Sequence, residues 1–220
     1  MSISKKVFVP GEFYHIYNRG NSKQKIFHDY KDYNRFISLL YACNSGYNFR
    51  TYALNKEESP YDFERGVPLV GIGAYCLMPN HFHILITQTE KGYISKFMQK
   101  VATAYAMYYN KKYNRTGSLF EGKFKAEHLD SDPYLKYIFS YIHLNPVKLI
   151  DKEWKEKGIH NKKEALDYLA KYQYSSYLDY LAKDRIQNKI LNVKAFPNYF
   201  PTQKEFSKEI FEWISFGETD

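Results

Sequence analysis

Cysteine is scarce: the 220-residue chain has two, Cys43 and Cys76, too few and too far apart for a disulfide framework or a paired zinc motif. No uninterrupted apolar run approaches the roughly 20 residues that a membrane helix needs, and the opening Met1 to Pro10 stretch has no apolar core of the kind a secretion signal carries. The 11 glycines are scattered, and none forms a loop that would cradle the phosphates of a nucleotide. These absences predict a reduced, cytoplasmic protein with no membrane segment. Disorder is excluded as well, because 44 % hydrophobic and 25 % charged residues are ordinary globular usage and 220 residues suffice to bury a core.

Two residue classes are in excess. Lys and Arg number 32 against 24 Asp and Glu, a net charge of +8, which suits a phosphate-rich partner. Aromatic residues make up 19 %, with 23 Tyr, 16 Phe and 2 Trp, many beside a basic residue. Aromatic faces among cations fit unpaired nucleic-acid bases, which stack while the cations hold the backbone. Packing along sheets and helices is the plainer role for most of the tyrosines.

Strand and helix signals alternate in an informative order. Phe13 to Tyr17 is strand-like and ends at the turn Asn18-Arg19-Gly20-Asn21. From Asp29, Tyr33, Phe36, Ile37, Leu40 and Tyr41 recur at helical spacing, and Asn44-Ser45-Gly46 stops them. The next twenty or so residues, to Pro68, mix strand and breaker signals and read as an arm or insertion. Leu69 to Leu77 and His81 to Thr87 are two strands joined by the turn Met78-Pro79-Asn80. Ile94, Phe97, Met98, Val101, Tyr105 and Tyr108 trace a long helix, Ser118 to Leu129 alternates as a strand, and Ser131-Asp132-Pro133 opens a third helix that ends at Asn145-Pro146. This is the split βαββαβ order of a ferredoxin-like antiparallel sheet with one further helix behind it, an α+β fold. Residues 1–150 are expected to form that domain and residues 151–220 a helical C-terminal appendage. In the latter, Asn161 with Glu164 and Thr202 with Glu205 have capping-box spacing, and Phe206, Ile210, Trp213 and Ile214 share an apolar face.

Side chains alternate along a strand, so Phe82, Ile84 and Ile86 enter a core while His81 and His83 share the opposite face. Two imidazoles on one surface can hold a divalent cation, with oxygen ligands completing the sphere, although His-apolar-His by itself is also compatible with a packed pair. With Leu135, Ile138, Phe139 and Ile142 buried, the third helix presents Tyr141 and Asn145 four residues apart on one flank, with Tyr134 and Tyr137 nearby. An amide oxygen is a reasonable third ligand, and a tyrosine beside a metal-bound phosphate is a possible nucleophile. Spacing does not choose among the three tyrosines, each of which also suits packing. Lys123 and Lys125 share the strand face opposite Phe124 and Ala126 and can line a groove, with Arg115 and Arg19 at adjoining turns.

Four blocks carry a family resemblance: Tyr14-His15-Ile16-Tyr17-Asn18-Arg19-Gly20-Asn21, Tyr75 to Leu85 with its Pro79-Asn80-His81-Phe82-His83, Arg115 to Ala126, and Tyr141-Ile142-His143-Leu144-Asn145-Pro146-Val147-Lys148. In this order they closely resemble the single-tyrosine HUH transposases, in particular the REP-associated branch, over residues 8 to 150; Tyr174-Ser175-Ser176-Tyr177 echoes a weaker block. The resemblance implies a DNA transposase acting on single-stranded hairpin DNA. Mg2+ or Mn2+ would be bound by His81 and His83, with Asn145 at the third-ligand position. Tyr141 would be the nucleophile, forming a 5′-phosphotyrosyl intermediate and a free 3′-hydroxyl. Arg19, Arg115, Lys123 and Lys125 are the expected DNA contacts. Related enzymes are either dimers that exchange the tyrosine or monomers, and the long tail favours a monomer here. The competing reading is an inactive binder of DNA or RNA hairpins with the same fold. A nucleotide hydrolase with alternating histidines would want a further histidine at position 85, which is Leu.

Overall fold

The structure, a computed structural model, describes residues 7–47, 59–62 and 64–215; most of the expected arm before Pro68 lies outside these. Four antiparallel strands, β1 (Phe13–Arg19), β2 (Val70–Met78), β3 (His81–Gln88) and β4 (Lys125–His128), form one sheet in the order β2-β3-β1-β4. With α1 (Tyr30–Ala42) after β1 and α2 (Tyr93–Lys112) after β3, this is the ferredoxin-like arrangement expected from the sequence. Asp29 caps α1 by accepting from the Lys31 and Asp32 amides. The stop at Asn44 also ties helix to sheet, since its side chain donates to the Val70 carbonyl at 2.9 Å and accepts from the Val70 amide at 3.0 Å.

Each face of the sheet has its own core. Tyr14, Ile16, Phe82, Ile84, Ile86, Tyr75 and Leu77 pack with α1 and α2 around Phe36, Phe97 and Tyr105. The other face, Ala74, Cys76, Met78 and Leu85, is covered by α3 (Asp132–Leu144) through Leu135, Ile138, Phe139 and Ile142. Burial on both faces explains why β2 reads as a continuous apolar run. A bulge between Ile72 and Ala74 sends Ala74, Cys76 and Met78 toward α3. Glycine at position 73 lets the Phe196 ring pack on the strand, since a Cβ there would lie 2.9 Å from it.

The strand expected over Ser118 to Leu129 shrinks to Lys125–His128, preceded by a single bridge between Gly20 and Phe120. The intervening Gly122 sits at φ +75°, a left-handed conformation that breaks the extended run. Lys123 therefore stands in the approach to β4 rather than in the strand.

Residues 151–215 form α4 (Trp154–Lys157), α5 (Lys162–Leu169), α6 (Tyr177–Tyr180) and α7 (Gln203–Ser215), with the expected caps in place: Asn161 accepts from the Glu164 amide at 3.0 Å and Thr202 from the Glu205 amide at 3.2 Å. Ala165, Leu169, Phe206 and Ile210 are buried in the same core as α3. The segment also covers the outer edge of β2. Leu77 donates its amide to the Tyr174 carbonyl and Ser176 to that of Tyr75, both at 2.9 Å, while the Tyr180 hydroxyl donates to Gly73 at 2.8 Å. Among the described residues no helix is long and apolar enough to cross a membrane.

Candidate active site

β1 and β3 are central, and their register sets Tyr17 opposite His83 and Arg19 opposite His81. On the other side of β1, Glu127 lies opposite His15 and Lys125 opposite Tyr17. Directly paired residues share a face, so His15, Tyr17, Arg19, His81, His83, Lys125 and Glu127 all project toward the side covered by α3.

The three histidines are in contact. His81 and His83 have ring centres 5.0 Å apart at 88°, and His15 Nε2 lies 2.8 Å from His83 Nδ1. Burial drives the His83 imidazole well below its ordinary pKa, with His15 and His81 pushing the same way. Burial lowers His81 to about 4, against a hydrogen bond donated by the ring to the Asn145 side-chain oxygen, which favours its charged form. His15 also falls to about 4 through burial, although Glu127 pulls it upward. All three rings are thus held in the neutral form, the form in which an imidazole can ligate a metal.

The donor set fits a divalent cation. His83 Nε2 is buried without a hydrogen-bond partner, and a cation there would satisfy it. His81 Nδ1 is engaged by Asn80 Oδ1 at 2.6 Å, and Asn145, only 3 % exposed, is within hydrogen-bonding reach of the same ring. Among the described residues no three histidine, cysteine or carboxylate side chains gather as a metal cluster. The expected ligand set is two imidazoles and an amide.

Of the three tyrosines on α3, Tyr141 is the one whose ring meets the histidines, edge-on, 5.6 Å from His83 and 6.2 Å from His15 between centres. Tyr137 stacks along the helix at 6.1 Å from Tyr141 and faces Trp213 at 5.2 Å. Tyr134 donates its hydroxyl to Glu127 at 3.1 Å, beside the Tyr17 hydroxyl, which donates to the same carboxylate at 2.9 Å. Burial pushes Glu127 up, but these two hydrogen bonds, together with His15, outweigh it and hold the carboxyl below its ordinary value. Tyr17 is in turn raised to about 12 by burial and by Glu127.

The expected DNA contacts divide. Arg19 lies close enough to His81 to disfavour its protonation, and it pairs with Glu121 through two nitrogens. Lys125 is exposed on the site's face of β4, and Lys123 is exposed just before it. Arg115 stands apart, its guanidinium 5.5 Å above the Tyr109 ring near the end of α2, on the sheet's other side. Sequence reasoning missed four neighbours: His15, Tyr17, Glu127 and Lys155, whose Nζ is 4.8 Å from the centre of the Tyr141 ring. The alternation of His15 and Tyr17 along β1 was a signal for the first two; Lys155, in the short helix α4, had none.

Residues 69–145, from the start of β2 to Asn145, match the family described as "Transposase IS200 like". No curated protein matches the sequence. Among solved structures, a REP-associated tyrosine transposase bound to a REP hairpin is similar in fold, with a TM-score of 0.53 and 12 % identity, covering 85 % of this chain and 90 % of that one. The resemblance read from the sequence blocks and the α+β fold both stand on these matches.

Proposed function

From the similarity of residues 69–145 to IS200-like transposases, we propose that this chain cuts and rejoins single-stranded DNA folded into a hairpin, with Tyr141 as nucleophile. The observation that carries the proposal is the meeting, on one side of the sheet, of a phenol, two neutral imidazoles and an amide: Tyr141, His81, His83 and Asn145. His81, His83 and Asn145 would hold Mg2+ or Mn2+, which supplies charge to orient and polarise the scissile phosphate.

The Tyr141 oxygen attacks phosphorus, an O–P bond forms, and the bond to the 3′ oxygen breaks. The leaving oxygen takes a proton to become a 3′-hydroxyl, and the phenol proton passes to solvent or a nearby base. The phosphate stays on Tyr141 as a 5′-phosphotyrosine. Because one phosphodiester replaces another, the step is reversible and joining needs no ATP, in keeping with the missing phosphate loop. Lys155, above the Tyr141 ring, places positive charge where the phenolate develops. Arg19 and Lys125 supply backbone contacts along the same face, with Lys123 in the approach to β4 beside them, and Lys148 also lies near His81. The Tyr141 ring stands 5.6 Å from that of His83 in its own chain, which supports a monomer.

The test is incubation of the protein with Mn2+ and labelled hairpin DNA bearing single-stranded flanks, followed by a denaturing gel. A protein-linked fragment that requires metal and is absent from Tyr141→Phe is expected. Binding without any adduct across a panel of hairpins and metals would instead favour the inactive binder.

A further inference from the structure

The chain has two tryptophans, and both line one cavity. Trp154, at the start of α4, and Trp213, near the end of α7, enclose about 380 Å3 together with Tyr137, Tyr141 and Lys155. These four aromatic rings are half-buried, neither sealed into the core nor fully exposed. Trp154 lies 6.5 Å from Tyr141 at 29°, and Trp213 lies 5.2 Å from Tyr137. The Trp213 indole N–H is held by Glu209 Oε1 at 2.9 Å, which fixes that wall. Lys155 stands exposed beside the cavity.

Apolar aromatic walls with a cation at their edge select a flat, uncharged ring on an anionic chain. An unpaired nucleobase has that form, whereas a paired base keeps its faces inside the duplex stack. Location narrows the choice. Tyr141 is itself one wall, so a strand whose phosphate sits at the Tyr141 hydroxyl has only its adjoining nucleotides within reach. We propose that this cavity is a stacking pocket for one unpaired base next to the scissile phosphate, built mainly by the C-terminal helices. The proposal rests on Tyr141 being the nucleophile, and it gives the tail a part in positioning the strand.

Because both tryptophans line the pocket, intrinsic fluorescence reports on it directly. The Tyr141→Phe protein, which keeps the ring and cannot cut, is titrated with a twelve-nucleotide oligothymidylate and with a chain of equal length whose sugars lack bases. Binding is followed separately by anisotropy of a label. Tryptophan quenching by the thymidylate and none by the base-free chain is expected. Trp154→Ala should weaken thymidylate binding about five-fold or more while leaving base-free binding unchanged, and Trp154→Phe should restore most of the loss. Binding of thymidylate without quenching, quenching by the base-free chain, or equal weakening of both ligands by Trp154→Ala would overturn the pocket. If wild type forms the covalent adduct and quenching is absent, the pocket alone fails; if no single-stranded DNA binds, both proposals fail.

Discussion

Replacing His15 tests whether the site's geometry serves a metal. If His83 Nε2 ligates a cation, its proton must sit on Nδ1, which lies 2.8 Å from His15 Nε2. His15 Nε2 then accepts, so the His15 proton sits on Nδ1, 3.7 Å from Glu127 Oε2. One proton arrangement thus runs from carboxylate to metal ligand. Removing the acceptor leaves the His83 N–H buried and unpaired, a cost of about 1–3 kcal/mol that falls on the ligating tautomer. His15→Ala should therefore lower Mn2+ affinity about 10- to 100-fold, the usual effect of deleting a group that orients a metal-bound histidine. His15→Gln, which offers an amide oxygen as acceptor, should recover part of the loss. Glu127→Gln should do less, since 3.7 Å exceeds hydrogen-bond length. The assay is Mn2+ titration by calorimetry or electron paramagnetic resonance without DNA, with circular dichroism to show that each variant folds. A folded His15→Ala protein with wild-type Mn2+ affinity, alongside a His81→Ala protein that binds none, would refute the arrangement while sparing the metal site.

Tyr141→Phe should bind hairpin DNA nearly normally and form no adduct, whereas Tyr134→Phe and Tyr137→Phe should still form it; an adduct mapped by mass spectrometry to either of those two would move the nucleophile. Asn145→Ala should weaken Mn2+ binding less than His81→Ala, because water can take an oxygen-ligand position, and an unchanged titration would remove Asn145 from the set. Lys123→Ala with Lys125→Ala should lower affinity alike across hairpin sequences and make binding less sensitive to salt, as phosphate contacts do; loss confined to one sequence would make them base readers. Stability should fall with acid, because burial holds His15 and His81 to about 4 and His143 to about 3 while the unfolded chain takes up protons below about 6.5. The loss begins near pH 6.5, continues through about pH 4 and amounts to about 3 kcal/mol from His15 alone; a flat urea midpoint over that range would contradict it.

The order of strands and helices was legible because each periodic run in the sequence faces a real core. The α1 stripe at Phe36, Ile37 and Leu40 and the α2 stripe at Phe97, Met98 and Val101 are buried where their spacing put them. The His81 and His83 pair was legible for the same reason, since strict alternation leaves a buried strand one way to face. Tertiary pairing was not legible. That His15 would touch His83 depends on the β1 to β3 register, and no local spacing encodes it. Alternation over Ser118 to Leu129 overstated β4, because it counted apolar residues and overlooked a left-handed glycine.

The tail shows most clearly what spacing cannot reveal. Its apolar residues predicted packed helices, but not what they pack on. Tyr174 and Ser176 bond along the open edge of β2, and Ser176 Oγ also lies 2.8 Å from His143 Nε2. His143 is wholly buried on α3, between Tyr141 and Asn145 in sequence. A bond from the tail therefore reaches the same helical turn that presents the phenol and the amide. Phe206 packs against His143 at 5.2 Å, and Trp154 and Lys155 stand at Tyr141. The sheet fixes the histidines and α3 carries Tyr141, but the seating of α3 on the sheet is shared with residues beyond 150. Deleting them would expose the β2 edge and unseat α3 together, so the first 150 residues do not carry the whole support of the site.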